Sequence, residues 1–145
     1  MRTRATEGGF TLIELVVVIT ILGILAAFAV PRFASLETEA REAATEALGG
    51  SIRSGSALAH SLYLVDGTGP ATVTMEGTSV AIANGYPSTA GIEDTLSDYT
   101  GFAHAAGSGV WTRADAATPA NCSVTYVQPA ALGQSPTITV DVSAC

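Results

Sequence analysis

A single run of apolar residues constrains this chain more than any other feature of its sequence. The 21 residues from 10 to 30 carry one charge, on Glu14. A helix of that length rises ~31 Å at ~1.5 Å per residue, which matches the hydrocarbon thickness of a bilayer. A cleaved secretory signal has a shorter apolar core that ends in an Ala-x-Ala site. Pro31, Arg32 and Phe33 follow this run instead. We therefore expect the apolar segment to remain in the mature protein.

Glu14 places a carboxylate in the fifth position of this run. Insertion scales put the cost of a charged residue at mid-bilayer at roughly 2.5–3.5 kcal/mol, and such residues usually mark function. The cost falls near a helix N-terminus, because free backbone N–H groups favour an anion. This rule leaves two interpretations open for Glu14: a functional acid, or an interfacial residue in a first helical turn.

Two helix-perturbing residues, Gly23 and Pro31, lie in or directly after the same run. Proline lacks an N–H and clashes with the preceding turn, which predicts a kink near residues 27–31. Gly23 and Ala27 form a pair of small residues four apart that permits close helix approach. Glycine is also common in membrane helices, which is the alternative reason for Gly23.

After the run, apolar residues recur mostly three or four apart, which predicts an amphipathic helix. The predicted apolar face comprises Phe33, Leu36, Ala40, Ala44, Leu48, Ile52, Leu58 and Leu62. Gly49 and Gly50 are expected to weaken the middle of this helix by about 1 kcal/mol each relative to Ala. Turn residues that start at Asp66 predict that the helix ends near Val65.

From residue 71 onward, short β-rich runs replace the helical pattern. Residues 71–75 and 78–83 flank a Glu76-Gly77 turn and predict a hairpin, and residues 122–128 and 137–143 predict an antiparallel pair. The remaining segments are interpreted as a loop at Asn84-Gly85-Tyr86-Pro87, helical turns within residues 92–99 and a short strand at residues 110–112. We expect a small antiparallel sheet packed on the amphipathic half of the helix, an α+β architecture.

The two cysteines, Cys122 and Cys145, enclose the last predicted strand pair. A disulfide between them would close a loop of 24 residues, which chain-entropy arguments value at roughly 3 kcal/mol. The alternative is two free thiols. A disulfide would place the C-terminal part in an oxidising compartment outside the cytoplasm. The arginines on either side of the apolar run are nearly balanced and do not decide the orientation.

Composition and spacing argue against several other functions. The chain has 13 acidic and six basic residues, all Arg, with a net charge of −7, which disfavours nucleic-acid binding. His60 and His104 lack metal-ligand neighbours and are interpreted as surface or packing residues, with Trp111 in the core or sheet. Glu93 and Asp98 are interpreted, with Asp94, as a solvated helix face. We expect no enzyme, no cofactor and no metal site.

The residues at the start of the apolar run resemble the processing site of type IV prepilins. The stretch Gly8-Gly9-Phe10-Thr11-Leu12-Ile13-Glu14-Leu15 has a basic leader that ends in Gly, then Phe, with Glu four residues further on. The resemblance implies that a prepilin peptidase cuts between Gly9 and Phe10 on the cytoplasmic face of the inner membrane and N-methylates Phe10.

The resemblance also implies a division of the chain and a role in assembly for three residues. The segments are a leader (1–9), a transmembrane and assembly helix (10–31), an amphipathic helix of the globular domain (32–65) and a β-rich head (66–145) with a disulfide-bounded region (122–145). Glu14, Gly23 and Pro31 are the expected assembly residues. The new amine of Phe10 can neutralise Glu14 within one helix or in a neighbouring copy, and a buried pair of this kind can set the stagger between subunits.

Within the head, Asn84-Gly85-Tyr86-Pro87, residues 121–126 and Cys145 look similar to the mannose-sensitive haemagglutinin (MSHA) class of type IV pilins. This implies a major pilus subunit that forms a helical homopolymer for adhesion. The expected partners are other copies, the prepilin peptidase, the assembly platform, the outer-membrane secretin, the inner membrane before assembly, and host or environmental surfaces. The precursor would span the inner membrane once, with its head outside the cytoplasm, and the product would be an extracellular pilus. The alternatives are a type II secretion pseudopilin, a minor pilin, or a membrane-anchored binding module that never polymerises.

Overall fold

The computed structural model describes residues 9–145, with the side chain of Ala34 excepted. These residues form two compact units, one that ends at Glu37 and one that covers Thr38–Cys145. We call them the N-terminal unit (residues 9–37) and the C-terminal unit (residues 38–145). One helix, α1 (Leu12–Asp66), supplies residues to both. Residues 1–8 of the predicted leader, including Gly8, lie outside the described residues.

The long helix that the sequence predicts is confirmed. The helix α1 starts two residues after Phe10 and ends one residue beyond the predicted end at Val65. It continues through Pro31, which lies inside its span. The kink near residues 27–31 stays a prediction.

The apolar side chains of the N-terminal unit are exposed throughout. Leu12 is 79% exposed and Phe28 75% exposed, and the other large apolar residues of the run are exposed as well. The one hydroxyl in the middle of the run, on Thr20, donates a hydrogen bond of 2.7 Å to the carbonyl of Val16, so it is satisfied within its own helix. By length and composition, this part of α1 can cross a membrane.

The face that α1 buries in the C-terminal unit is richer in small and polar residues than the sequence pattern predicts. Leu48 and Ile52 are buried as predicted, but Leu58 is 54% exposed, and Phe33 and Leu36 in the N-terminal unit are exposed too. The remaining buried helix positions are Thr45, Gly49, Gly55, Ser56 and Ala59. Because these side chains are short, neighbouring segments reach close to the helix backbone. A search for large apolar residues does not detect a face of this kind.

Seven short strands follow the helix in residues 67–145, all of which the structure describes. They are β1 (Thr72–Met75), β2 (Thr78–Ala83), β3 (Tyr86–Pro87), β4 (Ala103–His104), β5 (Val110–Thr112), β6 (Ser123–Val127) and β7 (Thr137–Asp141). Short 3-10 helices cover Ile92–Thr95 and Pro119–Asn121. The strands form two antiparallel sheets, ordered β1-β2-β3 and β4-β5-β6-β7. The α+β class is therefore confirmed, whereas the single small sheet is wrong.

Two tight turns with the same backbone conformation build the first sheet. Glu76 and Gly77 have φ angles of 48° and 88° and close the predicted β1-β2 hairpin. Asn84 and Gly85 have φ angles of 53° and 87° and close a second hairpin, in which β3 pairs with the end of β2. The loop expected at residues 84–87 is therefore wrong. Two successive positive φ angles match the twist of paired strands, and Asn-Gly is a strong signal for such a turn.

The predicted pairing of the last two strands is confirmed, with Ser123 opposite Asp141 and Val127 opposite Thr137. Trp111 is fully buried, as predicted. The main core combines helix and sheet residues: Leu48, Ile52, Ile92, Trp111, Val124 and Tyr126. A second cluster packs the first sheet on the helix through Ala59, Val73, Met75 and Val80.

Side-chain hydrogen bonds tie the two sheets together. The hydroxyl of Tyr126 on β6 donates to the carbonyl of Pro87 on β3 at 2.7 Å, and the amide of Asn84 donates to the carbonyl of Pro129 at 2.8 Å. Burial raises the pKa of Tyr126 to about 12, so its hydroxyl remains a donor at physiological pH.

Candidate processing and assembly site

Glu14 caps the helix that it belongs to. The backbone N–H of Thr11 donates to Glu14 Oε2 at 2.9 Å, and the hydroxyl of Thr11 donates to the same oxygen at 2.6 Å. In return, the backbone N–H of Glu14 donates to Thr11 Oγ1 at 3.3 Å. This reciprocal arrangement is a capping box, which satisfies donors left free at a helix N-terminus. Thr11 is the site residue that the sequence interpretation missed, although Thr-x-x-Glu before an apolar run is the signal for it.

The predicted cleavage residues lie just outside the helix. Gly9 and Phe10 precede Thr11, and neither is part of α1. Phe10 is 82% exposed. Its ring and the side chains of Ile13 and Glu14 border a shallow groove of about 370 Å³ on the side of the helix, together with Val17 and Val18. The Gly9-Phe10 peptide bond therefore lies in irregular backbone.

Gly23 and Pro31 follow Glu14 along the same helix, at rises of ~14 Å and ~26 Å. Apart from its chain neighbours and the backbone of its own helix, nothing described lies within 4 Å of the position that a Cβ on Gly23 would occupy. The fold of a single chain therefore gives no packing reason for glycine there. The structure does not bring these two residues together with Glu14.

The disulfide Cys122–Cys145 is present in the C-terminal unit, as predicted. Thr45 on α1 lies against it, with Oγ1 3.5 Å from the Sγ of Cys122. Arg41, one helical turn earlier, donates to the main-chain oxygen of Cys145 at 3.1 Å. The disulfide and the segment that it closes are thus attached to the helix rather than to the sheet alone.

His104 is a packing residue with a defined partner, so its interpretation is confirmed, whereas the solvated position predicted for Glu93 is wrong. Nε2 of His104 lies 2.5 Å from Glu93 Oε2, and Nδ1 lies 2.8 Å from the carbonyl of Val110. The His104 side chain is 3% exposed and stacks on Trp111 at 4.4 Å. Among residues 9–145, no three His, Cys, Asp or Glu side chains are grouped to hold a metal ion.

Comparisons with known proteins agree with the N-terminal geometry. Residues 4–30 match the model of the prokaryotic N-terminal methylation motif. A stretch of 51 residues is 53% identical to a protein of Thermus thermophilus named "Type IV narrow pilus major component PilA5". The motif defines a class of proteins by their methylated N-terminus. This chain matches that motif, and its long helix, antiparallel sheets and disulfide go with a local similarity to a type IV pilin.

The match to the Thermus relative covers 35% of this chain and 44% of that protein, so the chain spans less than half the length of the relative. No solved structure matches the chain significantly.

Proposed function

We propose that this chain is the major structural subunit of a type IV pilus, of the MSHA-like kind, and that it polymerises through α1 into surface filaments for adhesion. The observation that carries the proposal is the capped helix that starts two residues after Phe10 and leaves its apolar side chains exposed. Large exposed apolar surfaces mark interaction sites. A membrane covers this surface before assembly, and the helices of other copies cover it in the filament.

Processing precedes assembly in this proposal. A prepilin peptidase at the inner membrane cuts between Gly9 and Phe10, leaves a mature chain of residues 10–145 and methylates the new amine. The helix-free position of Gly9 and Phe10 supports the cut at this bond. The assembly platform and the outer-membrane secretin then receive the mature subunit, whose C-terminal unit lies outside the cytoplasm, where the disulfide Cys122–Cys145 is stable.

The capping box supports a role for Glu14 in subunit stagger. Thr11 donates both of its hydrogen bonds to Oε2 of Glu14, and Oε1 accepts no hydrogen bond among the described residues. That second oxygen can accept the amine of Phe10 from an adjoining copy without breaking the cap. An ionic pair surrounded by apolar helices fixes one axial register, because any other register leaves a buried charge alone.

Two measurements test the proposal. Mass spectrometry of the mature protein should find an N-terminus at methylated Phe10. Glu14→Leu should give a processed, membrane-held protein with few or no filaments in electron micrographs. Thr20→Leu is the matched control, because it also replaces a polar residue of the run by Leu but removes a bond within one helix.

Several outcomes contradict the proposal. Normal filament yield from Glu14→Leu would remove the stagger role of Glu14. A protein that keeps residues 1–9 and stays monomeric would favour a membrane-anchored binding module.

The disulfide is the feature that favours a pilin over a type II secretion pseudopilin, which typically lacks the C-terminal cysteine pair.

A further inference from the structure

A cavity of about 500 Å³ opens on the C-terminal unit between α1, the second hairpin and the segment before β7. Its polar lining consists of Arg53, Ser56, His60, Ser61, Tyr86 and Ser135. None of its lining residues is acidic. The volume suits one or two small rings, which is the lower part of the usual range for ligand sites.

The charge of this cavity is opposite to that of its surroundings. The C-terminal unit contains ten acidic residues and three arginines. Arg41 and Arg113 both pair with Asp115. Arg53, at the edge of the cavity, forms no ion pair among the described residues. It is the one cation of the unit whose charge stays available to a ligand, and a guanidinium binds a carboxylate through two parallel hydrogen bonds.

One wall of the cavity is rigid and aromatic. The rings of His60 and Tyr86 stack at 3.9 Å with an angle of 4° between their planes. Nδ1 of His60 lies 2.7 Å from the carbonyl of Gly85, which fixes the ring as a donor at Nδ1 and leaves Nε2 as an acceptor in the neutral form. The Asn84-Gly85 turn holds Tyr86 in place by its positive φ angles. The wall is therefore formed before any ligand arrives.

The serines of the cavity differ in how far a ligand can reach their hydroxyls. Ser56 is 2% exposed, and its Oγ makes no hydrogen bond of ordinary geometry among the described residues. The hydroxyl lies near enough to the Tyr126 phenol to lower the pKa of that group somewhat against the rise from burial. The hydroxyls that a ligand can reach are those of Ser61 and Ser135, which also line the cavity and are exposed.

We propose that this cavity binds a monosaccharide unit that carries a carboxylate. Arg53 binds the carboxylate, the edge of the His60–Tyr86 wall packs against the C–H groups of the sugar ring, and the exposed serines bond its hydroxyls. A neutral sugar would leave Arg53 without a partner, and a bare anion would leave the aromatic wall, Ser61 and Ser135 unused. The inference gives a ligand class to the adhesive role proposed above, but it does not require polymerisation.

The test uses the full chain in detergent micelles and three probes: glucuronate, glucose and acetate. We expect NMR shifts of the His60 and Tyr86 ring signals to saturate with glucuronate, and both other probes to bind at least about tenfold more weakly. Arg53→Gln should weaken glucuronate binding by at least about tenfold. Ser54→Asp is the matched control, since it lowers the net charge by the same unit at an exposed position outside the cavity, and it should change binding less than about twofold.

Each alternative result overturns the proposal. Equal binding of glucose and glucuronate would remove the role of Arg53, and equal binding of acetate would reduce the site to an anion subsite. Equal losses in both variants would show attraction by net charge alone, and no binding at all would leave the cavity without this function. Near-ultraviolet circular dichroism of both variants controls for folding. Filament yield is measured in parallel, so failure of assembly and failure of binding are separate readings.

Discussion

The glycines in the two parts of α1 differ in how closely other segments of the chain pack against them. In the C-terminal unit, a Cβ on Gly49 would stand 2.5 Å from Cγ2 of Val140, and a Cβ on Gly55 would stand 2.5 Å from Oγ1 of Thr95. In the N-terminal unit, the space beside Gly23 is open to 4 Å among the described residues. The fold of one chain therefore explains glycine at 49 and 55, but not at 23.

The two parts of α1 therefore differ in whether a single chain buries their side chains. The C-terminal half of the helix buries its face on two sheets and a disulfide. The N-terminal half buries nothing large, and its apolar side chains remain exposed. An exposed apolar surface of this size is stable only in lipid or against other protein. Variants in the C-terminal unit should therefore change its own stability, whereas variants in the N-terminal unit should change assembly.

The largest expected effect on stability comes from the disulfide. Replacing Cys122 and Cys145 by Ser should lower the free energy of unfolding of the C-terminal unit by about 3 kcal/mol, because the unfolded chain regains the entropy of a 24-residue loop. Fluorescence of Trp111, the single tryptophan of the chain, reports this transition in a denaturant titration.

The disulfide comparison has its own control in the N-terminal unit. Insertion of the variant into membranes should be unchanged, because the apolar run contains neither cysteine. If the midpoint of the Trp111 transition stays the same while the disulfide is absent, the β6–β7 pairing and the bond from Arg41 to the main-chain oxygen of residue 145 are sufficient to keep residues 122–145 in place.

Alanine at the helix glycines gives the next largest effect. Gly55→Ala should destabilise the C-terminal unit by about 1–3 kcal/mol, because the new methyl group meets Thr95. Gly50→Ala should stabilise it by up to about 1 kcal/mol, because no described atom lies within 4 Å of that position and alanine favours a helix. Gly23→Ala should leave the Trp111 transition unchanged.

The changes in stability expected for Gly50→Ala and Gly55→Ala have opposite signs, so the pair tests the packing argument directly. Equal effects of the two substitutions on the denaturant midpoint would mean that helix propensity alone decides, and that the close approach of Thr95 to Gly55 is not a constraint in solution.

The buried Glu93–His104 pair should have a smaller effect. The carbonyl of Val110 can only accept, so Nδ1 of the His104 ring donates to it, while Nε2 forms a hydrogen bond with Glu93 Oε2. Glu93→Ala leaves Nε2 buried without this partner and should cost about 1–2 kcal/mol by the same fluorescence assay. Glu93→Gln should cost less, since an amide can donate to a neutral ring. A larger loss from Gln than from Ala would contradict this bonding scheme.

Sequence reasoning located the features that rest on local chemistry. The apolar run, the turn at Glu76-Gly77 and the alternating last strands each follow from neighbouring residues, and all three are present. The loop assigned to Asn84-Gly85 was an error of interpretation, because the signal for a hairpin turn stands in the sequence. The capping role of Thr11 was missed in the same way.

Other features depend on distant parts of the chain, and no local pattern encodes them. Glu93 and Asp98 look alike on a short helical turn, but only Glu93 faces His104. From the sequence alone, Gly49 is interpreted as a weak point in the helix. The structure shows instead that Val140 on β7, 91 residues later, packs against it. The division into two sheets likewise depends on which strands meet across the helix. The candidate assembly residues Gly23 and Pro31 stay predictions, because the fold of one chain gives no packing reason for Gly23 and does not test a role for Pro31.

Acid should give the smallest effect, again confined to the C-terminal unit. The side chain of Arg113 holds the pKa of Asp115 below its ordinary value of 3.8, and hydrogen bonds from Thr100 and Ser143 do the same for Asp98 and Asp141. A carboxyl whose pKa is lower in the folded state stabilises the fold at pH values above its ordinary pKa. This stabilisation is lost as the pH falls through the folded-state pKa. The Trp111 transition should therefore occur at slightly lower denaturant at pH 3 than at pH 6.

Asp115→Asn should reduce this pH dependence, because the variant has no carboxyl at position 115 to titrate against the arginines. All three carboxylates are exposed, so added salt should reduce the contribution of the Asp115 ion pairs, whereas the local bonds from Thr100 and Ser143 should persist. A pH dependence that is unchanged in Asp115→Asn would assign the acid sensitivity to Asp98 and Asp141. The ion pairs of Asp115 would then orient Arg41 and Arg113 without stabilising the fold.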